Sequence, residues 1–310
     1  MSKARPPGSV RPFVLHSRPL APLTTWGVGG VAETLLAPRS RDELIDAVRW
    51  AQSEGEGFFT LGGGSNVLIG DGPINVPVLL TAGVSDIELR VEGASAFIDC
   101  SAGAKLSNVL GIAIKEGWSG LEFAAGIPGT VGGAITGNAG ALTGSAASSV
   151  VKVRTLEEDG ETVERDSADM GWSYRRCGLI EGSGRVVTGA SFKLSVSTGE
   201  RVRAGVKEAI EARRLQPVGC RTAGCVFKNP QGQSAGMLLD KAGCKGLVQG
   251  DARVSSVHAN FIENAGGCSA RDIVRLAAMC RKMVFDMFGV TLDFEIKTLG
   301  VEEEMIYAGL

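Results

Sequence analysis

The chain has 310 residues, 44% of them apolar and 21% charged, enough for two or three folding units that each bury a core. Its 32 basic and 34 acidic side chains leave a formal net charge of −2 and no basic patch, which argues against nucleic acid as a partner and against disorder. Seven cysteines without a CxxC pair, and histidine only at His16 and His258, argue against a disulfide framework, a metal centre and a Ser-His-Asp triad; they point to reduced thiols in a cytoplasmic protein.

Residues 1–12 read as a basic, Pro-rich tail without the apolar run of a signal peptide. Leu20–Gly30 reads as loop and turn, and Glu33–Pro38 as a short strand. Ser40 with Glu43 forms a capping box that opens a helix, and Leu44, Ala47, Val48 and Ala51 follow at helical spacing. Phe58–Leu61 is a second strand. It runs into Gly62-Gly63-Gly64-Ser65-Asn66, where consecutive glycines after a strand let backbone amides face an anion.

Val78 to Ala102 is strand-rich, and Leu106, Val109, Leu110, Ala113 and Ile114 mark an amphipathic helix that stops near Gly117. Phe123 to Val151 then holds 29 residues with no charge and seven glycines. A membrane helix of this length is conceivable. It fails on composition: each Gly costs a helix roughly 1 kcal/mol against Ala, Pro128 interrupts it, and Asn138 would need a partner in lipid. The expectation is instead a set of tight turns bringing amides to a pyrophosphate. Strands follow at Val151–Leu156, at Glu161–Glu164 across an Asp159-Gly160 turn, and at Arg185–Leu194. Glu200–Arg214 reads as a helix with Val202, Val206, Ala209 and Ile210 on one face. Pro217-Val218-Gly219 breaks it and marks a boundary.

Beyond the break, Cys225–Phe227 reads as a short strand and Ser234–Ala242 as a helix ended by Gly243. His258–Ile262 reads as a strand. Ser269 caps a long helix with Ile273, Leu276, Ala277, Cys280, Val284, Met287 and Phe288 on its apolar face, and Val290–Leu299 is the last strand. Irregular alternation makes this α+β rather than a doubly wound sheet, and no dinucleotide fingerprint follows the first strand.

The two glycine loops lie about 60 positions apart and suit the two sides of one dinucleotide site. Thr25-Trp26-Gly27-Val28-Gly29-Gly30, LGGGSNVL (61–68) and GLEFAAGIPGTVGGAITGNAGA (120–141) resemble the FAD-binding half of bacterial UDP-N-acetylenolpyruvoylglucosamine reductases, the UDP-N-acetylmuramate dehydrogenases of peptidoglycan synthesis. Tyr174-Arg175, GCVFKNP (224–230), AGMLLDKAGCKG (235–246), VSSVHANFI (254–262) and LDFEIKTLG (292–300) continue the resemblance in order. The first two loops alone resemble only the wider vanillyl-alcohol-oxidase type of flavin fold. For those loops another flavin oxidoreductase acting on an alcohol, or a flavin-binding protein without turnover, stays open.

The resemblance implies a two-part FAD-binding region of the vanillyl-alcohol-oxidase type (18–80 and 81–198) and a C-terminal α+β substrate-binding domain (199–300), with a return of its last strand to the FAD region left open. It implies non-covalent FAD, held by Gly62, Gly63, Gly64, Ser65 and Asn66 and by Gly126, Ile127, Pro128, Gly132, Gly133, Asn138, Gly140 and Ala141. NADPH is the implied co-substrate, and UDP-N-acetylglucosamine-enolpyruvate the substrate. No His lies in either loop to attach the flavin covalently.

Hydride delivered to the enolpyruvyl methylene carbon leaves negative charge beside a carboxylate. That charge needs a fixed cation, a hydrogen-bond donor and then a proton. The resemblance implies Arg175 as the cation, although Arg176 beside it leaves the register open. It implies Glu295 as the donor, with a raised pKa in an apolar strand. Cys225 stands where the family commonly has Ser as proton donor. The expectation is that it keeps that role, with nearby Arg175 or Lys228 lowering its pKa. Tyr174, Lys228 and Asn229 are expected to contact substrate, and Lys245 and His258 are weaker candidates for phosphate. No Tyr lies between Arg175 and Cys225, which resembles the shorter, type II form. Phe294 before Glu295, where Pro is common, is a second departure.

Overall fold

The computed structural model describes residues 13–55, 57–141 and 143–302, so the expected N-terminal tail (1–12) lies outside the described residues. Strands Val14–Pro19, Val31–Leu36, Val78–Leu80 and Phe59–Leu61 lie in that order in one sheet, the first pair antiparallel and the rest parallel. Helix α1 (Arg41–Ser53) connects two of them and buries Leu44, Ala47, Val48 and Ala51. Its cap differs from the expected box in one arm. Ser40 accepts from the Glu43 amide at 3.2 Å, but the Glu43 carboxylate takes the Arg39 amide at 2.8 Å instead of that of Ser40.

A second, antiparallel sheet runs in the order Thr162–Asp166, Val150–Leu156, Val186–Val196, Ser95–Ser101, Ile87–Glu92. Val186–Val196 is central and buried over its first seven residues, which is why its sequence shows no alternation there. Helix α2 (Leu106–Glu116) packs on this sheet and closes on Gly117 in the left-handed region, as expected. The glycine stretch is not all turns. Helix α3 (Val131–Thr136) forms inside it, capped by Thr130, and the missing side chain of Gly132 lets it press on Ala102; a Cβ there would lie 3.0 Å from that of Ala102. Helix α4 (Gly199–Glu211) buries Val202 and Ala209 but leaves Ile210 exposed, contrary to expectation. Ala209 belongs to the core of this second sheet.

Helices α5 (Ala235–Lys241) and α6 (Ala270–Phe288) pack with the strands Val248–Gln249, Ala252–Val254 and Ile262–Asn264. Ser269 caps α6 as expected, and Asp272 returns the bond to make the cap reciprocal, but Met287 and Phe288 overrun the core and stay exposed. The strand expected at His258–Ile262 starts only at Ile262. Residues 258–261 form a turn closed by the Phe261 amide on the His258 carbonyl, and His258 Nδ1 accepts from the Asn260 amide at 3.2 Å. Cys225 and Phe227 pair only through isolated bridges to Phe261 and Phe294. Of the expected last strand, only Lys297–Leu299 is regular; it runs parallel to Val67–Ile69, directly after the first glycine loop.

The N-terminal turn reaches into the C-terminal core. Trp26 is fully buried there, its indole N–H donates to the Ile262 carbonyl at 2.8 Å, and Asn264 donates to the Trp26 carbonyl at 2.8 Å. Trp26→Phe leaves the Ile262 carbonyl without that donor. It is expected to lower the unfolding free energy by about 1–3 kcal/mol, measured as a reduced denaturant midpoint with an unchanged slope; an unchanged midpoint contradicts this.

Candidate active site

The two glycine loops touch. A Cβ on Gly63 would lie 2.9 Å from Gly129 Cα, one on Gly62 would lie 2.7 Å from Thr130 Oγ1, and Ser65 Oγ donates to the Pro128 carbonyl at 3.3 Å. Gly64 has φ +62° and leaves 1.9 Å between a would-be Cβ and the Leu23 carbonyl, so only glycine fits. Among the described residues, the amides of Gly63, Gly64, Ser65 and Asn66 donate to no protein acceptor, nor do those of Gly126, Gly129 and Thr130. Seven free N–H groups on two touching, uncharged loops fit a pyrophosphate-bearing group.

Not every expected loop residue is free to serve that group. The Gly132 amide donates to Ala102, and Gly133 donates to the Thr130 side chain. Gly140 and Ala141 form a two-residue ladder with Ser145 and Gly144. The Asn138 side chain is committed on both ends: Nδ2 donates to the Ser173 carbonyl at 2.9 Å and Oδ1 accepts from Ala147 at 3.2 Å. Gly126 and Pro128 are exposed and Ile127 is half-buried.

Asn138 braces a hairpin, Trp172–Ser173 against Arg176–Cys177, whose two-residue turn is Tyr174-Arg175. Arg175 takes φ +55°, which swings it out of the ladder. Its Nη1 donates to the Gly140 carbonyl at 3.0 Å and its Nε lies 2.7 Å from Glu295 Oε1. Arg176 instead pairs with Glu181, its Nε 2.6 Å from Glu181 Oε2. Tyr174 is exposed, its ring 5.3 Å from the Arg175 guanidinium.

Glu295 is placed by its own backbone. Its amide donates to Val226 at 2.8 Å, and its carbonyl accepts from the Asn66 side chain at 3.1 Å. The first contact sets it beside Cys225, the second beside the first glycine loop. Phe294 stacks on Phe227 with centroids 5.1 Å apart, which holds the residue before Glu295 through an aromatic contact. Burial raises the Glu295 carboxyl above the usual carboxylate range, and the charges of Arg175 and Lys228 oppose it. Burial and then the charge of Glu295 push the Cys225 thiol up to about 12, against Arg175 and Arg213. The expectation of a lowered, partly ionised Cys225 is therefore overturned, because desolvation outweighs the nearby cations.

Arg213 escaped the sequence reading. It follows the end of α4, donates from Nη1 to the Gly126 carbonyl at 3.1 Å, and keeps a buried Nε without a partner among the described residues. Burial and the Arg175 charge pull its pKa down, and Cys225 lies within its field. In sequence it is one of two arginines at a helix end, and nothing in the spacing separates it from exposed Arg214, which pairs with Glu211. Other candidates are occupied. Asn229 Oδ1 caps α5 by accepting from Ala235 at 2.9 Å, and Lys245 pairs with Asp240 at 2.8 Å. Half-buried Lys228 faces Glu295 and Glu181.

Amide-lined loops for a flavin nucleotide, with an arginine, a carboxyl and a thiol carried to them by other elements, belong to an FAD-dependent oxidoreductase. Residues 32–166 match the family model described as FAD binding domain, and residues 216–299 the one described as UDP-N-acetylenolpyruvoylglucosamine reductase, C-terminal domain. The chain is 37% identical over 293 residues to UDP-N-acetylenolpyruvoylglucosamine reductase of Syntrophobacter fumaroxidans, covering 93% of this chain and 84% of that protein. It is 38% identical to the Synechococcus reductase, covering 91% and 90%. The crystal structure of UDP-N-acetylenolpyruvylglucosamine reductase from Thermus caldophilus superposes with a TM-score of 0.78 at 34% identity, covering 92% of this chain and 98% of that one. The chain belongs to the UDP-N-acetylenolpyruvoylglucosamine reductase family.

A thiol with a pKa near 12 holds on the order of a thousandfold less thiolate at pH 8 than an ordinary one near 8.5. Iodoacetamide labelling at pH 8, followed peptide by peptide by mass spectrometry, is expected to leave Cys225 largely unmodified in the native protein and to modify it readily after unfolding. Rapid native labelling of Cys225 contradicts the assignment.

Proposed function

We propose that the protein catalyses the NADPH-dependent reduction of UDP-N-acetylglucosamine-enolpyruvate to UDP-N-acetylmuramate, a step of peptidoglycan precursor synthesis, with Arg175, Glu295 and Cys225 as its catalytic residues. The observation that carries this is their convergence: Arg175 Nε stands 2.7 Å from Glu295 Oε1, and the Glu295 amide is anchored on Val226, next to Cys225. FAD, reduced by NADPH, supplies the hydride when bound. The amides of Gly63, Gly64, Ser65, Asn66, Gly126, Gly129 and Thr130 would hold it. The nucleotide-linked substrate and NADPH support a cytoplasmic setting. Three parts would share the work, with the third opening after α4.

Arg175 takes the substrate carboxylate through its guanidinium, whose planar fork of N–H donors matches the two carboxylate oxygens. In doing so it releases Glu295. With its counter-ion engaged elsewhere, the Glu295 carboxyl takes up a proton and becomes a hydrogen-bond donor to the charge that develops on the carboxylate-bearing carbon. Cys225 then gives its Sγ proton to that carbon, and the thiolate left behind recovers a proton from solvent. A thiol near 12 is almost wholly protonated at neutral pH, so the donor is loaded before each turnover. Lys228, Tyr174 and Arg213 would meet the diphosphate end, as cations or at the exposed hairpin tip.

The test is NADPH oxidation by the FAD-loaded protein with UDP-N-acetylglucosamine-enolpyruvate. Cys225→Ala is expected to lose roughly 100- to 10,000-fold in kcat, and Cys225→Ser to restore most of it. A Cys225→Ala enzyme with normal turnover removes the proton-donor role. No substrate-dependent oxidation by the wild type removes the reductase reading, in favour of an alcohol-oxidising flavoenzyme or a flavin-binding protein without turnover.

A further inference from the structure

A second set of charges bridges the seam at which Arg175 meets Glu295. Glu181 Oε2 lies 2.6 Å from Arg176 Nε, and Glu181 Oε1 accepts from Lys297 Nζ at 3.1 Å. Arg176 is the neighbour of Arg175 on the hairpin, and Lys297 lies two residues beyond Glu295. Both ends of the bridge are fixed by backbone. Arg176 pairs with Ser173 across the hairpin, while Lys297 pairs with Val67 and donates its amide to Asn66 at 3.0 Å. Glu181 itself is rooted: its amide donates to the Cys177 carbonyl at 3.1 Å, and Ile180 before it is buried in the core of the second sheet.

At the tip of this hairpin Tyr174 is 54% exposed. The Arg175–Glu295 pair cannot hold the tip during the reaction, because each partner must turn to the substrate. A lone exposed ion pair contributes little and is screened by salt. Here one carboxylate joins two cations, and backbone ladders fix the points from which both cations extend. Lys297, with Arg176 and Lys228, holds the Glu181 carboxyl below the usual carboxylate range, against some desolvation.

We propose that Glu181 is a positioning residue: by bridging Arg176 and Lys297 it holds the Arg175 hairpin against the Glu295 strand while Arg175 and Glu295 exchange partners. This rests on the reductase reading. It gives the seam two layers, an inner pair that opens and an outer bridge that stays closed.

The test uses Glu181→Gln in the full-length, FAD-loaded protein with two readouts. Amide hydrogen exchange over residues 172–177 is expected to quicken about tenfold, with the 186–196 strand unchanged. In the NADPH assay kcat is expected to fall about tenfold with KM within about twofold, because the nucleotide end still binds the substrate while the hairpin no longer holds Arg175 in place over the reacting carbon. Lys297→Met is expected to give the same exchange change, and the double variant no more than either single one. Unchanged exchange, faster exchange with unchanged kcat, or additive effects each overturn the proposal. A wild type that does not oxidise NADPH with this substrate overturns the reductase reading and the catalytic half of the proposal; the exchange measurement then decides the bridge alone.

Discussion

The ion pair between Arg175 and Glu295 is where the separate parts of the chain become one site. Arg175 hangs on a hairpin rooted by Met170, Cys177 and Ile180 in the core of the antiparallel sheet. Glu295 lies on a segment that leaves the C-terminal core and returns to the first glycine loop. Neither side chain is fully solvated, at 27% and 16% exposure, so the protonation of Glu295 depends on Arg175 beside it. Removing one partner leaves the other under-compensated. A site that uses this dependence can switch Glu295 from ion-pair acceptor to hydrogen-bond donor simply by offering Arg175 another carboxylate.

The glycine loops carry no acid, base or nucleophile. Their work is geometric. They leave amides unpaired, and they crowd each other so closely that a side chain on Gly62, Gly63 or Gly64 would collide with a neighbour. The same loops also tie the chemistry down. Asn66 donates to the Glu295 carbonyl, the Gly140 carbonyl accepts from Arg175, and the Gly126 carbonyl accepts from Arg213. Cofactor cradle and reacting groups are thus fixed to one another by hydrogen bonds rather than by proximity in sequence.

Features set by a few adjacent residues were legible in the sequence. The caps at Ser40 and Ser269, the Gly117 stop and the buried faces of α1 and α2 are local events, and they appear where capping and spacing place them. Features that depend on distant partners were not. Cys225–Phe227 shows only isolated bridges because its partners, Phe261 and Phe294, come from turns and irregular segments. Asn138 and Asn229 look like polar ligand contacts, yet their side chains close backbone gaps in the protein itself. Arg213 faces the site only because α4 lies on α2 and ends beside Gly126. The pKa of Cys225 ran against expectation for the same reason: neighbouring cations can be read from sequence, but the depth of burial cannot.

The most direct measurement is the proton balance on binding UDP-N-acetylglucosamine-enolpyruvate to the oxidised protein, by calorimetry in buffers of different ionisation enthalpy. In the free protein burial raises the Glu295 carboxyl and Arg175 lowers it. When the substrate takes Arg175 the lowering cause is lost, the pKa rises, and a proton is taken up at any pH between the free and bound values. The account predicts net uptake of up to about one proton at neutral pH, absent in Glu295→Gln. Binding of the substrate with no proton uptake by the wild type, or with equal uptake by Glu295→Gln, would contradict it.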